Sequence, residues 1–268
     1  MRVAQQEEGA FGLVRVLGDR RWTPWLPVFA WCVTHPEGVF VVDTGDTVRV
    51  FEPGYYPAWH PYFWNSLESD ISPDEEVGPR LRALGIDPAR DVTKVVLTHF
   101  HSDHMGGLRH FPGVPTLSTR ESYKATHGPS GRLNGYLPQH FPAGFDPLSL
   151  QFDTGPIGTF ARSHRLTQDG AVSVVETPGH APGHVSVLVR REGLSYLLAG
   201  DTSYSQPKLK RLEADAVTPT PNQMRETQRR ILALASKEPL VYLPSHDLEA
   251  VARLEAGTTL QIQSSAQL

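Results

Sequence analysis

The chain has a single cysteine, Cys32, among its 268 residues. An intrachain disulfide framework is therefore impossible, and a zinc site built on several thiolates is excluded with it. Long apolar runs are missing as well: no stretch approaches the roughly 18 residues that cross a bilayer as a helix. Nor does one sign of charge dominate. The 25 basic and 29 acidic residues leave a net charge of −4, too little to draw the chain to nucleic acid or to an anionic membrane. The opening run Met1-Arg2-Val3-Ala4-Gln5-Gln6-Glu7-Glu8 lacks the basic-then-apolar order of a secretory signal. These absences set the expectation of a soluble, cytoplasmic protein without nucleic-acid or membrane partners. The length suffices for a substantial core in one large domain or two small ones.

Phe29 to Thr34, Pro36-Glu37-Gly38 and Val39 to Asp43 predict a β-hairpin turning at Glu37-Gly38. Ser72-Pro73-Asp74-Glu75 has the form of a capping box with proline at the first helical position, and predicts a helix to about Leu84, stopped by Gly85. Strands are expected at 92–97, 114–117, 172–176, 185–190, 195–199 and 240–243, with a short helix from about Thr119. From Thr220, the residues Met224, Gln228, Ile231, Leu232 and Ala235 share one helical face. The segment 128–160 is rich in Gly, Pro, Asn and aromatics, and reads as an insertion or a lid loop. The tail 257–268 is polar and expected to fray. Strand groups mixed with helices in two similar halves point to a two-layer sheet core covered by helices. No linker divides 1–268 into two domains, and the core is expected at about 28–247.

The most informative stretch is Thr98-His99-Phe100-His101-Ser102-Asp103-His104, where a buried strand ends and a loop begins. On extended backbone, residues i and i+2 share a face, so His99 and His101 can grip one ion. Asp103 and His104, where the chain turns toward Gly106-Gly107, can face a second. Three further candidates each follow a predicted strand: His180 in Thr177-Pro178-Gly179-His180, Asp201 in Ala199-Gly200-Asp201, and His246 in Pro244-Ser245-His246. Two ions with four protein ligands each need eight contacts, and these seven residues supply them if one bridges. A carboxylate bridges by giving one oxygen to each ion, which nominates Asp201. Imidazole and carboxylate ligands suit zinc, and also iron, manganese or cobalt.

His-x-His-x-Asp-His, a later Gly-His, a later Gly-Asp and a final Ser-His, in this order, resemble the metallo-β-lactamase superfamily over roughly residues 28–247. That resemblance implies an αβ/βα sandwich: two mixed sheets flanked by helices. Asp201 at the bridging position is unlike true β-lactamases. Asp201-Thr202-Ser203-Tyr204, Thr177-Pro178-Gly179-His180-Ala181-Pro182-Gly183-His184 and Pro244-Ser245-His246-Asp247 are similar to the N-acyl-homoserine lactonases. Ser102, where several lactonases carry a bulkier residue, and the segment 128–160 depart from them.

The resemblance implies a lactone or ester substrate, opened by a hydroxide between two ions about 3.5–4 Å apart. Tyr204 would donate to the developing oxyanion, and Asp103 would protonate the leaving alkoxide. Asp43, Thr98, Thr177 and Ser245 are expected to orient ligand histidines; His184 is either such a partner or simply packed. Phe51, Tyr55, Tyr56, Trp59, Tyr62, Phe63 and Trp64 fit an acyl-chain wall, a homodimer contact or a satellite of the core. His35, His60, His110, His127, His140 and His164 show no ligand spacing.

The rival readings are an organophosphate triesterase and a glyoxalase II-like thiolester hydrolase, for whose basic region Lys208, Lys210 and Arg211 are a faint echo. An RNA-processing nuclease is disfavoured by the neutral charge, and a non-catalytic binding protein by the filled ligand positions. Flavodiiron oxygen reduction is disfavoured by His101, where that motif has Glu.

Overall fold

The computed structural model describes residues 1–3 and 21–262. The expectations for residues 4–8 and for the tail beyond Ile262 lie outside the described residues. The hairpin forms as strands β1 (Trp31–His35) and β2 (Gly38–Val42), paired antiparallel with His35 opposite Gly38. Its turn is Pro36-Glu37, one residue earlier than expected. Gly38 already belongs to β2, at φ 143°, and an added Cβ would lie 2.1 Å from Thr93 Oγ1. Only glycine combines that dihedral with so close an approach.

Strands β3 (Val92–Val96), β4 (Thr116–Ser118) and β5 (Leu148–Ser149) add in parallel, so the first sheet runs β1-β2-β3-β4-β5. The second sheet is built from β6 (Ser163–Arg165), β7 (Val172–Glu176), β8 (Val185–Arg191), β9 (Leu194–Gly200) and β10 (Leu240–Pro244). It runs β10-β9-β8-β7-β6, antiparallel except for the β9–β10 pair. Strands β7, β9 and β10 consequently point the same way, and their C-terminal ends share one edge.

Alternation along the strands assembles the layers. Phe40, Val42, Val96 and Leu117 of the first sheet meet Val174, Val185, Val187, Leu198, Val241 and Leu243 of the second in one inter-sheet core. Their neighbours face outward: Val41 and Val95 pack under Val77, Leu81 and Leu108, while Val175, Leu188, Leu197 and Tyr242 pack under Leu209, Ile231 and Leu234. The result is the expected αβ/βα sandwich. Each such aliphatic side chain removed from water contributes about 1.5–3 kcal/mol.

Three expectations change. The helix from Ser72 is broken: Pro73–Glu75 is one capped 3-10 turn, Glu76 is extended, and a helix resumes over Val77–Ala83. Glu76 leaves the helix because its buried carboxylate accepts from Thr47 Oγ1 and Val48 N, both at 2.8 Å, and from Arg109. Burial would raise its pKa, but these donors, with His110, hold it at about 2. The segment 128–160 is no free loop, since it contains the helix Gly128–Leu133, the turn Pro138–His140 and β5. The tail beyond Gly257 does not fray at once: Leu260 is buried, and its N–H donates to Leu240 O at 2.7 Å. The helix Pro221–Ala235 buries Met224, Gln228 and Ile231 as expected, with Thr227 and Leu234 buried beside them, while Leu232 and Ala235 pack half-buried against the same core. Among the described residues no helix is long and apolar enough to cross a membrane.

Candidate metal centre

The strand ends of both sheets deliver all seven candidate ligands to one place. His99, His101 and His180 form a first group: His99 Nε2 lies 2.9 Å and His180 Nε2 3.0 Å from His101 Nδ1. Asp103, His104 and His246 form a second, with His246 Nε2 3.4 Å and His104 Nε2 3.6 Å from Asp103 Oδ2. Asp201 lies between them. Its Oδ2 is 3.3 Å from His180 Nε2 and 3.2 Å from His246 Nε2, and its Oδ1 is 3.3 Å from His104 Nε2. The donor atoms of each group lie within 4.8 Å of one another.

These atoms are oriented but not satisfied. His104 Nε2, His246 Nε2 and Asp201 Oδ1 are buried without a hydrogen-bond partner. Three such atoms on neighbouring side chains carry a desolvation cost that a bound cation would remove. Burial, reinforced by the neighbouring histidines, pushes His99 well below the usual imidazole range, and burial takes His101 to about 3. Both are thus neutral, as ligation requires. For His104, burial is outweighed by the carboxylates of Asp201, Asp103 and Asp43, which hold it well above that range. The same contest, dominated by Asp215 and Asp201, raises His180, and Asp201 raises His246.

Four of the five ligand-candidate rings, His101 excepted, are aimed by their second nitrogen. His104 Nδ1 donates to Asp43 Oδ2 at 2.8 Å, while Asp43 also accepts from Thr98 N and Thr98 Oγ1, both at 2.8 Å. Asp43 sits at φ 58°, a left-handed conformation that costs a residue with a side chain about 1–2 kcal/mol, and these three bonds hold it there. Thr98 Oγ1 is 3.0 Å from His99 Nδ1. His180 Nδ1 donates to Asp215 Oδ2 at 2.7 Å and His246 Nδ1 to Pro27 O at 2.9 Å. Neither partner has a local sequence signal: Asp215 lies in an irregular loop, and a backbone carbonyl has no residue-type signature.

His184 proves to be a positioning residue. Its Nδ1–H donates to Thr177 O at 3.0 Å, which leaves Nε2 to accept from Asp201 N at 3.1 Å. Thr177 reaches that ring too, with Oγ1 3.0 Å from Nδ1. A Cβ on Gly200 would stand 2.6 Å from the same Nε2, so this corner has room only for glycine. Ser245 does not do what its position suggested, because its hydroxyl is buried without a partner. Thr220 gives its hydroxyl to Gly179 O at 3.0 Å instead of capping its helix, and so ties that helix to the loop bearing His180.

Above the two groups opens a cavity of about 480 Å³. His101, Asp103, His180, Asp201 and Tyr204 line its floor, and Tyr56, Tyr62, Phe63 and Leu67 one wall. The Tyr204 ring centroid lies 5.0 Å from that of His246 and 6.2 Å from that of His180. Burial, with Asp215 and Asp201 nearby, pushes its phenol well above the usual range. Of the aromatic stretch, Tyr55, Tyr56 and Phe63 thus serve the core, while Phe51, Trp59 and Trp64 are exposed. Part of the segment 128–160 reaches the cavity through Ser130, Asn134 and Tyr136, whose ring stacks on His101 at 5.3 Å. Asp46, which sequence reasoning missed, lines the cavity too, and burial together with the charge of Asp103 takes it up to about 6.

Among proteins of known activity, the chain is similar to the N-acyl homoserine lactonase AttM of Rhizobium radiobacter, at 33% identity over 184 residues, 67% of this chain and 66% of the relative. The match therefore spans a little under two thirds of that relative's length. It is also similar to the N-acyl homoserine lactonase AiiA of Bacillus thuringiensis subsp. kurstaki, at 23% identity over 84% of this chain and 82% of the relative. In fold it resembles an N-acyl homoserine lactone hydrolase solved with the product N-hexanoyl-L-homoserine at its catalytic metal center. That likeness has a TM-score of 0.71 at 22% identity, over 87% of this chain and 86% of the other. Residues 23–246 match the family described as the metallo-beta-lactamase superfamily. With strand-end histidines and aspartates converging in this order on an αβ/βα sandwich, the chain belongs to that superfamily.

Proposed function

We propose that the chain is a dinuclear-metal hydrolase that opens lactone rings, N-acyl homoserine lactones foremost, and that its metal is zinc. The observation that carries this reading is the pair of donor groups sharing Asp201 beneath a cavity floored by Tyr204. His99, His101 and His180 would hold one cation, Asp103, His104 and His246 the other, and Asp201 both. Two such cations, when bound, supply Lewis-acid polarisation of a carbonyl and a nucleophilic hydroxide at neutral pH.

The chain's own residues do the rest. Asp43, Asp215 and the Pro27 carbonyl fix the histidine rings, so little reorganisation is left for the reaction. Tyr204 keeps its proton, because burial holds the phenol far above neutrality, and donates it as a hydrogen bond to the oxyanion developing on the lactone carbonyl. One such donor is worth about 3–4 kcal/mol. Asp103, on the cavity floor, takes the proton shed by the attacking water and delivers it to the ring oxygen as that oxygen leaves. The aromatic wall excludes water and offers an apolar surface to an acyl chain.

The glyoxalase II-like alternative loses its one support here. Lys208, Lys210 and Arg211 are absent from the residues lining the cavity, and Arg211 pairs with Glu213. We read the described residues as one domain, since one core joins both sheets, and include a cytoplasmic location in the proposal; cell fractionation checks the latter. The main test is a side-by-side assay of the metal-loaded protein on lactones, a paraoxon-like triester, S-lactoylglutathione and a cephalosporin, with metals counted. Lactones are expected to be the best substrates. Lactones as the poorest would overturn the reading, as would His101→Ala keeping both metal and activity.

A further inference from the structure

The outer part of the cavity has two unlike walls. One is aromatic and aliphatic: Tyr56, Phe63 and Leu67. The other is the helix Arg120–Ala125, which presents Glu121 and Lys124. Lys124 is the only lysine or arginine side chain lining the cavity among the described residues, and its ammonium has no ion pair or side-chain hydrogen bond with any of them.

The position of this helix is fixed from below. Thr119 Oγ1 donates to Gly183 O at 2.7 Å, and Glu121 Cβ lies 3.0 Å from the point where a Cβ on Gly183 would stand. The first turn of the helix thus rests on the loop that carries His180. Lys124, three residues on, lies beside Glu121 on the same face of the helix, and both line the cavity. A lactone carbonyl held at His180, Asp201 and Tyr204 shares one cavity with this wall.

We propose that Lys124 is a specificity-determining residue, which favours lactones whose acyl chain carries a carbonyl or hydroxyl oxygen near the amide. The inference rests on the lactonase reading and adds the substrate class. A plain alkyl chain lying along this wall would take water from an ammonium and return nothing. A chain with an acceptor oxygen replaces that water with a hydrogen bond to a charged donor, while its remaining methylenes lie on the aromatic wall. Lys124 is exposed and keeps part of its hydration, so the gain is modest: about three- to tenfold in selectivity, less than a desolvated hydrogen bond to a charged group supplies.

The test uses the metal-loaded full chain and two N-acyl homoserine lactones of equal chain length, one with an oxygen on the third acyl carbon and one without. The kcat/KM ratio should favour the oxygenated substrate three- to tenfold in the native protein, fall toward one in Lys124→Met, and persist in Lys124→Arg. Calorimetry with the two ring-opened products should give the same order of Kd values. Equal rates in the native protein, or a ratio that Lys124→Met leaves intact, overturn the inference alone. If neither lactone is opened, the lactonase reading fails and takes this inference with it.

Discussion

The two sheets contribute to the metal centre in different ways. The first supplies four candidate ligands from one loop, His99 to His104, and holds His104 and Thr98 with a single carboxylate from its own neighbouring strand, Asp43. The second supplies His180, Asp201 and His246 one at a time from three strand ends. It orients His180 with Asp215, from an irregular loop, and His246 with the Pro27 carbonyl, neither of them on a strand of that sheet. The first half is therefore anchored within its own sheet, where the ends of two neighbouring parallel strands bring Asp43 and Thr98 together. The second is an assembly that exists only once the sheet has formed. Damage to the first should cost fold stability as well as metal, and damage to the second mainly metal.

The sharpest way to break the comparison is at Asp201, which serves both halves. Asp201→Ala should strip both metals and reduce activity by well over the roughly 100-fold that the loss of an orienting partner costs; metal analysis beside lactonase kinetics decides. Next comes the tyrosine on the second half: Tyr204→Phe should keep both metals and lower kcat by about 10²–10³-fold, the effect of one lost oxyanion donor. Full kcat in that variant would remove Tyr204 from the mechanism.

The contrast itself is measured by Asp43→Ala against Asp215→Ala. Each should weaken metal binding about 10- to 100-fold. Only Asp43→Ala leaves three buried donors unpaired, at about 1–3 kcal/mol each, so its metal-free form should melt several degrees below that of Asp215→Ala. Equal melting temperatures would erase the distinction. The smallest effect is on pH. In the metal-free protein His104 and His246 of one group hold protons above the ordinary imidazole range, whereas in the other only His180 does, His101, at about 3, and His99 lying below it. Protons compete with metal more as pH falls through a raised pKa, by about tenfold per unit for each proton displaced. The group containing Asp103, His104 and His246 should thus lose its ion first on dialysis from pH 8 toward 6.

The same contrast explains what could be read from the residues alone. The stretch 98–104 was legible because i, i+2 spacing at a strand end is a short-range fact, and the strands around it carry plain valine-rich patterns. His180, Asp201 and His246 became legible only together, each after a strand. Asp215 and Pro27 were not, since Asp215 lies in an irregular loop with no strand before it and Pro27 acts through a backbone carbonyl, which has no residue-type signature. Glu76 breaks a helix that its local sequence favours, because four donors to its buried carboxylate outweigh a few tenths of a kcal/mol of propensity per residue. In the segment 128–160 the glycines and prolines that suggest a loop punctuate short helices and a strand.

The buried Leu260, whose amide meets the carbonyl of Leu240, has a consequence for how copies of the chain behave in solution. Strand β10 is the outermost of its sheet, and five consecutive buried residues, Leu240 to Pro244, make it a template for edge-to-edge pairing. The segment after Gly257 covers the start of that edge. A chain cut at Gly257 would keep every residue of the metal centre and yet present an uncovered, sticky margin, so its first symptom would be self-association rather than lost catalysis.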